Sequence, residues 1–176
     1  MINPEALYKV SYGMYIVCSG NRDSGNGYIS NTVFQVTSNP PKFATACSKD
    51  NFTAGIISKT GFFSVSVLSD AAAPELFGRF GYRSGKVYNK LQGMEIRYGE
   101  TGVPIVLNDA VAVFECRLTD TVDAGSHLIF IGEIVLSEVI DDSAESLTYL
   151  QYRRVRKGAA PKNAPTYIDK SNPLHS

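Results

Sequence analysis

The sequence carries no net charge, because 17 lysine and arginine residues are balanced by 17 aspartate and glutamate residues. This balance does not favour a nucleic-acid binder, for which a basic surplus is expected. The apolar runs are short and interrupted, and none approaches the roughly 18 residues of a membrane span. The first residues lack a basic segment followed by an apolar one, so no secretory signal is predicted and we expect a cytoplasmic protein.

Cysteine and histidine are scarce. Three cysteines, none of them in a C-x-x-C pair, and two histidines argue against a disulfide framework and against a structural zinc or iron–sulfur site. The motifs of serine esterases, phosphate-loop NTPases and zinc proteases are also missing. No metal site is predicted. If the chain is an enzyme, a bound organic cofactor would have to carry the chemistry.

Most periodic segments alternate at period two, which is typical of β-strands. In one of them Phe63, Val65 and Val67 are apolar, whereas Ser64 and Ser66 are expected to face away from the core. Further strands are predicted over residues 12–18, 27–37, 43–48, 110–118, 127–139 and 147–152. Part of one strand, residues 128–131, is apolar on both faces, so we expect another layer or a partner chain to cover it.

Helices are predicted to be few and short. Asp50 or Asn51 can cap a helix through residues 53–59 that ends at Gly61. Another helix is predicted to start at residues 74–77 and to stop at Gly78 or Gly81, and a single turn is predicted at residues 5–8. With 15 glycines and 8 prolines between the strands, the pattern favours a mainly β fold, a closed antiparallel Greek-key barrel with short helices at its rim. We assign residues 1–156 to this domain and expect residues 157–176 to form an extended tail outside it.

Small polar side chains concentrate in two segments. The first supplies hydroxyl and amide groups where a strand should be half apolar: Ser30, Asn31, Thr32 and Gln35. The second lies where a strand gives way to a helix, whose unpaired N–H groups favour an anion such as phosphate: Ser48, Lys49, Asn51 and Thr53. Ordinary helix caps and a solvent-facing strand are the alternative interpretations of these segments.

Basic residues also cluster in two places. The stretch from Arg79 to Arg97 contains five basic residues and one acid, Glu95. Residues 146–168 contain five basic residues and no acid. Either cluster could bind a phosphate or form a solvated rim, and the second could also dock an acidic redox partner.

Taken in chain order, the motifs resemble the flavin reductase-like domain family with its FMN-binding split barrel. The resemblance is carried by Asn26-Gly27, Ser30-Asn31-Thr32 with Gln35, Pro40-Pro41, Ser48-Lys49 with Asn51 and Thr53, the strand that follows Gly61, Arg83-Ser84-Gly85-Lys86, and Gly125-Ser126-His127. Within the family, flavoredoxins and the flavin half of high-molecular-weight rubredoxins are most similar, and residues 162–168 resemble the end of that half. Rubredoxin cysteines do not follow, so an external electron acceptor is implied.

The resemblance implies a role for each matching residue. The FMN ring and ribityl chain would be lined by Ser30, Asn31, Thr32 and Gln35. The phosphate would be held by Ser48, Lys49, Asn51 and Thr53. A loop of the same or a second subunit would add Arg83, Ser84, Gly85 and Lys86. His127 would lie near the ring or the nicotinamide as the catalytic candidate; a structural role is the alternative, and its turn reads Gly-Ser-His where many relatives read Gly-Asp-His.

The implied protein is a homodimer that binds FMN near the subunit interface. It would be an NAD(P)H-dependent FMN reductase-like oxidoreductase that passes reducing equivalents to flavin, ferric iron or a soluble redox protein. Two alternatives stay open: an FMN-containing electron carrier that reacts poorly with NAD(P)H, and a flavin-free binding module on the same fold. Neither a nucleic acid nor a membrane is expected as a partner.

Overall fold

The computed structural model describes residues 3–168. Four short helices occur in that range: α1 (Pro4–Leu7), α2 (Phe52–Thr60), α3 (Pro74–Tyr82) and α4 (Tyr149–Arg154). Nine strands accompany them: β1 (Tyr15–Ser19), β2 (Asn26–Ser30), β3 (Val33–Ser38), β4 (Pro41–Ser48), β5 (Phe62–Leu68), β6 (Ile96–Tyr98), β7 (Pro104–Val106), β8 (Ala110–Asp123) and β9 (His127–Val139). The predicted mainly β class is confirmed. Within the described range, the helices are too short or too polar to span a bilayer.

Seven strands form one antiparallel sheet in the order β2-β1-β5-β8-β9-β4-β3, which leaves β2 and β3 as its two edges. Only Asn31 and Thr32 separate these edges along the chain. A flat seven-stranded sheet would hold its edges about 29 Å apart, whereas this link can span only about 11 Å. The sheet must therefore curl. The predicted closed barrel is not confirmed, because no hydrogen-bonded ladder joins β2 to β3 in the described residues.

Side chains fill the gap where the curled sheet brings β2 close to β4. The Tyr28 hydroxyl lies 3.1 Å from the Thr45 hydroxyl and 3.3 Å from the carbonyl oxygen of Ala46. Inside the curl is an apolar cluster that includes the fully buried Phe63 and Phe130. Burial of such side chains supplies much of the stability of a small β domain.

A second apolar cluster lies on the outer face of β1 and β5, beneath α3 and α4. The rings of Phe77 and Tyr152 pack there with their centroids 4.7 Å apart. The strand predicted at residues 147–152 is wrong, since α4 begins within it. Thr148 and Gln151 form a reciprocal capping box, which starts a helix instead.

Two further expectations need correction. Ser64 and Ser66 do not face solvent: both are fully buried, and their hydroxyls donate to the carbonyl oxygens of Pro104 and Val106 at 2.6 and 2.7 Å. The small β6–β7 sheet thus covers the face of β5 that carries the two serines. The period-two alternation separated the two faces of β5 correctly, but it could not show that both faces are covered. The helix predicted to start at residues 74–77 and to stop at Gly78 or Gly81 continues to Tyr82.

Candidate functional site

The first turn of α2 and the loop after α3 meet through one asparagine. Asn51 caps α2 by accepting a hydrogen bond from the Thr53 N–H at 3.0 Å. The Thr53 side chain is fully buried, and its hydroxyl accepts a hydrogen bond from Asn26 Nδ2 at 2.9 Å. A Cβ on Gly85 would lie only 2.3 Å from the same Nδ2. Asn26 therefore joins the predicted phosphate segment to the predicted cofactor loop of residues 83–86, which is far from it in sequence.

The predicted loop of residues 83–86 forms a compact turn. The Ser84 hydroxyl accepts a hydrogen bond from the Lys86 N–H at 3.3 Å, and the Ser84 carbonyl accepts one from the Tyr88 N–H at 3.1 Å. The guanidinium of Arg83 lies 4.4 Å from the centroid of the Tyr88 ring. Lys86 is exposed, so the turn presents its ammonium group to solvent beside α2.

An open groove of about 940 Å³ runs between α2, residues 21–26 and residues 85–92. Its lining mixes aromatic and cationic side chains, among them Phe52, Lys86 and Tyr88. A volume of this size suits a nucleotide-sized ligand. Asn26 and Gly85 also line the groove, so the junction described above lies on its wall.

Lys90 supports this wall from within the protein. Its side chain is only 3% exposed, and its ammonium group donates to the carbonyl oxygens of Gly27 at 2.9 Å and Phe80 at 3.1 Å. Burial lowers the pKa of Lys90 to about 8. The sequence places Lys90 in a basic cluster and beside the Ser84-Gly85 motif of the family resemblance, but composition does not show which lysine is buried.

Ser48, Lys49 and His127 are brought together where β4 ends. Ser48 pairs with His127 across the β4–β9 ladder, and the Lys49 N–H donates to the carbonyl of Ser126 at 3.1 Å. The Lys49 ammonium group forms a 2.7 Å ion pair with Asp123, and the hydrogen bond from Lys49 lowers the pKa of Asp123. A phosphate would have to compete with Asp123 for Lys49, so the phosphate role of Lys49 stays a prediction.

Asn31 and His127 both contact the C-terminal segment. Asn31 Nδ2 donates to the Thr166 hydroxyl at 2.6 Å, while Asn31 Oδ1 is buried and has no partner among the described residues. His127 Nδ1 lies 2.9 Å from the Ser126 hydroxyl, and His127 Nε2 lies 3.2 Å from the carbonyl oxygen of Asn163. Since a carbonyl can only accept, Nε2 carries the proton in this contact. The expectation of a tail away from the domain is therefore corrected for these residues.

The other residues predicted to line the flavin ring do not contact the C-terminal segment as Asn31 and His127 do. Ser30 is buried, and its hydroxyl lies 3.3 Å from that of Thr32 and 3.4 Å from that of Thr45. Gln35 is exposed on the edge strand β3, where its amide donates to the carbonyl of Thr37 at 3.3 Å. Roles for Ser30, Thr32 and Gln35 at a flavin stay predictions.

The residues present fit a phosphorylated flavin at two points. The Oδ1 atom of Asn31, which has no partner within residues 3–168, can accept a hydrogen bond from a ring N–H. The exposed ammonium group of Lys86 lies on the groove, where it can form a charge-assisted hydrogen bond with a phosphate. Sequence reasoning missed Lys90, Asp123 and the two tail contacts, Asn163 and Thr166, all of which depend on contacts between distant segments.

A family model described as flavin reductase-like domain matches residues 7–159 of this chain. The chain is 44% identical over 165 residues to a ferric-chelate reductase (NAD(P)H) of Archaeoglobus fulgidus, and the match covers 94% of this chain and 97% of that protein. It is 38% identical over 166 residues to a high molecular weight rubredoxin of Moorella thermoacetica, covering 94% of this chain and 72% of the other.

Among solved structures, the fold is similar to that of an FMN-binding protein from Thermus thermophilus, crystallised with p-hydroxybenzaldehyde. The TM-score is 0.74 at 25% identity, and the superposed region covers 82% of this chain and 84% of the other.

Proposed function

This chain belongs to the family of flavin reductase-like domains, and from that membership we propose that it is an FMN-containing oxidoreductase that takes reducing equivalents from NADH or NADPH. It passes them to an external acceptor, either a ferric chelate, free flavin or a soluble redox protein. The similarity to a ferric-chelate reductase over 97% of that protein's length supports the ferric chelate as the first acceptor to test.

The observation that carries the proposal is the junction of residues 26, 53 and 85 on the wall of the groove. Thr53 and Gly85 belong to two separate motifs that the resemblance assigns to FMN binding, the first to the phosphate and the second to a neighbouring loop that approaches the cofactor. Asn26 holds them together through a 2.9 Å hydrogen bond on one side and direct packing on the other. Two segments that are separate in sequence, both assigned to the cofactor by the resemblance, thus meet beside a cavity of suitable size.

Bound FMN would supply a ring that takes hydride from a nicotinamide and passes electrons to an acceptor. The protein's own residues bind and orient. Lys86 attracts the phosphate, Asn31 accepts a hydrogen bond from the polar edge of the ring, and His127 presents a donor at Nε2. Positioning of this kind accelerates a transfer without a side-chain acid or base, which agrees with the few acid–base groups at the site.

We further propose that two copies of the chain pair, with the cofactor near their interface. The edge strand β3 supports this arrangement, because Phe34 and Val36 are 58% and 47% exposed there. Exposed apolar side chains on an unpaired edge favour association with another chain.

An anaerobic titration tests the oxidoreductase function. Full-length protein is loaded with FMN, freed of excess flavin and mixed with NADH or NADPH while the flavin absorbance bands are recorded. We expect a yellow protein, prompt bleaching by one of the two nucleotides, and recovery of the colour when a ferric chelate is added. Protein that stays colourless after incubation with FMN would contradict the proposal.

An electron carrier is the second candidate. It is favoured by the 38% identity to a high molecular weight rubredoxin, of which this chain covers 72%. The same titration separates the two functions, because a carrier would bind FMN and yet bleach slowly with both nicotinamide nucleotides.

A further inference from the structure

Residues 159–168, which we call the strap, cross the face of the domain where the ring end of the cofactor is proposed to lie. The strap begins just after α4, where the Gly158 N–H donates to the carbonyl of Tyr152 at 3.0 Å. The guanidinium of Arg156 donates to the carbonyls of Asp70 and Ala72, which fixes the point of departure. The start of the strap is therefore anchored independently of its contacts with the site.

Three hydrogen bonds hold the strap across the site. The Tyr82 hydroxyl, at the end of α3, donates to the carbonyl of Ala159 at 2.5 Å. Further along, the Asn163 carbonyl accepts from His127 Nε2 at 3.2 Å, and the Thr166 hydroxyl accepts from Asn31 Nδ2 at 2.6 Å. Two of these three partners, His127 and Asn31, are residues proposed to bind the flavin.

The strap has a defined shape and an apolar underside. Two backbone hydrogen bonds fold it into consecutive turns, from the Ala164 N–H to the Pro161 carbonyl at 2.9 Å and from the Tyr167 N–H to the Ala164 carbonyl at 3.0 Å. Pro161, Ala164 and Pro165 line a small cavity together with Ile29 and Tyr152. These contacts are enough to hold the strap in one place, but little of it is deeply buried.

The closed strap leaves one polar group unsatisfied. It occupies Asn31 Nδ2, yet the Oδ1 atom of the same side chain is buried without a partner in the described part of the chain. A buried acceptor without a donor is costly. A ligand that carries an N–H group can relieve this cost, whereas the strap offers Asn31 only the oxygen of Thr166.

We propose that the strap is an autoinhibitory segment, which lies over Asn31 and His127, holds both side chains in hydrogen bonds of its own and must swing away before the flavin ring can bind. This inference rests on the proposed function, since it assumes that the ring uses these two side chains. A strap closed in about nine of ten molecules would weaken the apparent affinity for FMN about tenfold. Two of its three hydrogen bonds are exposed and the third is partly buried, and these bonds together with its limited burial are compatible with opening of that order.

Removal of the strap is the first test. A chain that ends after Gly158 keeps the anchors made by Arg156 and Gly158, and we expect it to bind FMN about tenfold more tightly than the full chain when followed by quenching of flavin fluorescence. Equal or weaker binding by the shortened chain would overturn the proposal. If neither form binds FMN, the proposed function is wrong as well. If both forms bind FMN equally, only the proposal of autoinhibition is wrong.

Point variants of the full chain provide a second test that does not depend on a truncated protein folding. Tyr82→Phe removes the hydrogen bond to Ala159, and Thr166→Val removes the acceptor of Asn31 with little change in shape. Each should tighten FMN binding about twofold to tenfold. Tyr167→Phe is the matched control, because the Tyr167 side chain makes no hydrogen bond among the described residues, and it should leave the affinity unchanged.

Limited proteolysis provides a readout that needs no activity. Lys162 is exposed on the strap, and we expect FMN to increase the rate of tryptic cleavage after Lys162 severalfold, as measured by mass spectrometry of the fragments. Cleavage that slows when FMN is added would mean that the strap closes over the flavin instead, and the proposal of competition would be wrong. A Lys162→Gln variant identifies the cleavage site.

Discussion

Gly85 shows how a single missing side chain shapes the proposed site. Its backbone lies directly against Asn26, so a Cβ at this position would come within 2.3–2.5 Å of three atoms of the asparagine side chain. Asn26 cannot retreat freely, because its amide is hydrogen-bonded to the buried Thr53. Glycine is therefore required by close packing here, and its conformational freedom is secondary.

We predict that Gly85→Ala weakens FMN binding about tenfold, because it would push Asn26 away from Thr53 and cost one buried hydrogen bond. Gly78→Ala is the matched control. A Cβ at Gly78 meets nothing within 4 Å, and the change lies inside α3, where alanine should raise the free energy of unfolding by up to about 1 kcal/mol. FMN titration and urea unfolding of both variants check this, and equal affinities would place the phosphate elsewhere.

For single residues, the sequence predicts local roles such as helix caps better than it predicts which distant residue a side chain will contact. Asn51 as the cap of α2 follows from a local pattern, and it is confirmed. The hydrogen bond between Thr53 and Asn26 joins residues 27 positions apart, and the ion pair between Lys49 and Asp123 joins residues 74 positions apart. Nothing local in the sequence states which distant group lies within reach, so these partners could not be foreseen.

Lys90 connects three parts of the fold: α3, β2 and the segment that follows α3. It ties the segment after α3 to β2 through Gly27 and to α3 through Phe80. Its amino group also faces Cys18 and Cys47, whose pKa values burial raises to about 12. Thiols with such values stay protonated in the folded protein while Lys90 loses its proton.

We predict a pH-dependent difference in stability between the wild type and a Lys90→Met variant. Because the pKa of Lys90 falls from 10.5 to about 8 in the folded protein, the unfolded chain holds an extra proton between these values, and the contribution of this group to stability rises with pH across that window. The wild type should therefore gain stability relative to Lys90→Met as pH rises from 7.5 to about 10. Urea unfolding followed by circular dichroism measures the difference, and parallel pH curves would contradict the prediction.

Elements that the sequence did not predict have identifiable causes. The pair β6 and β7 consists of three-residue strands, too short to show a period. The helix α4 was taken for a strand, although Thr148 and Gln151 stand at the spacing of a capping box, a signal that could have identified it. Ser64 and Ser66 were predicted to face solvent because serine side chains are usually exposed. In the structure their hydroxyls donate hydrogen bonds to backbone carbonyls of β7 instead.

At the scale of the whole molecule, the fold class followed from the resemblance and from the strand pattern, whereas the closure of the sheet did not. Closure depends on whether β2 and β3 pair with each other, and the sequence between Ser30 and Val33 only requires them to be near. The chain instead bends between them, and each pairs with a different strand, β1 or β4. Pairing between strands distant in sequence is what local patterns leave open.

The covering of residues 128–131 bears on the proposed dimer. Phe130 is fully buried within one chain, whereas Leu128, Ile129 and Ile131 are only partly buried, so the chain itself covers the face of this strand that carries Phe130. Two exposed apolar side chains lie on the edge strand β3, where Phe34 and Val36 are 58% and 47% exposed. An edge strand with such side chains is a favourable surface for a second copy.

We therefore predict that Phe34→Asp converts the protein from a dimer to a monomer, because a carboxylate buried without a partner in an interface is strongly disfavoured. Sedimentation velocity measures the mass, and circular dichroism confirms that the variant is folded. Val139→Asp is the control: Val139 is 64% exposed at the far end of β9, and its replacement should leave the dimer intact. If the wild type sediments as a monomer, the proposed pairing is wrong. If Phe34→Asp remains a dimer, two copies associate through another surface, and the cofactor cannot be placed near β3.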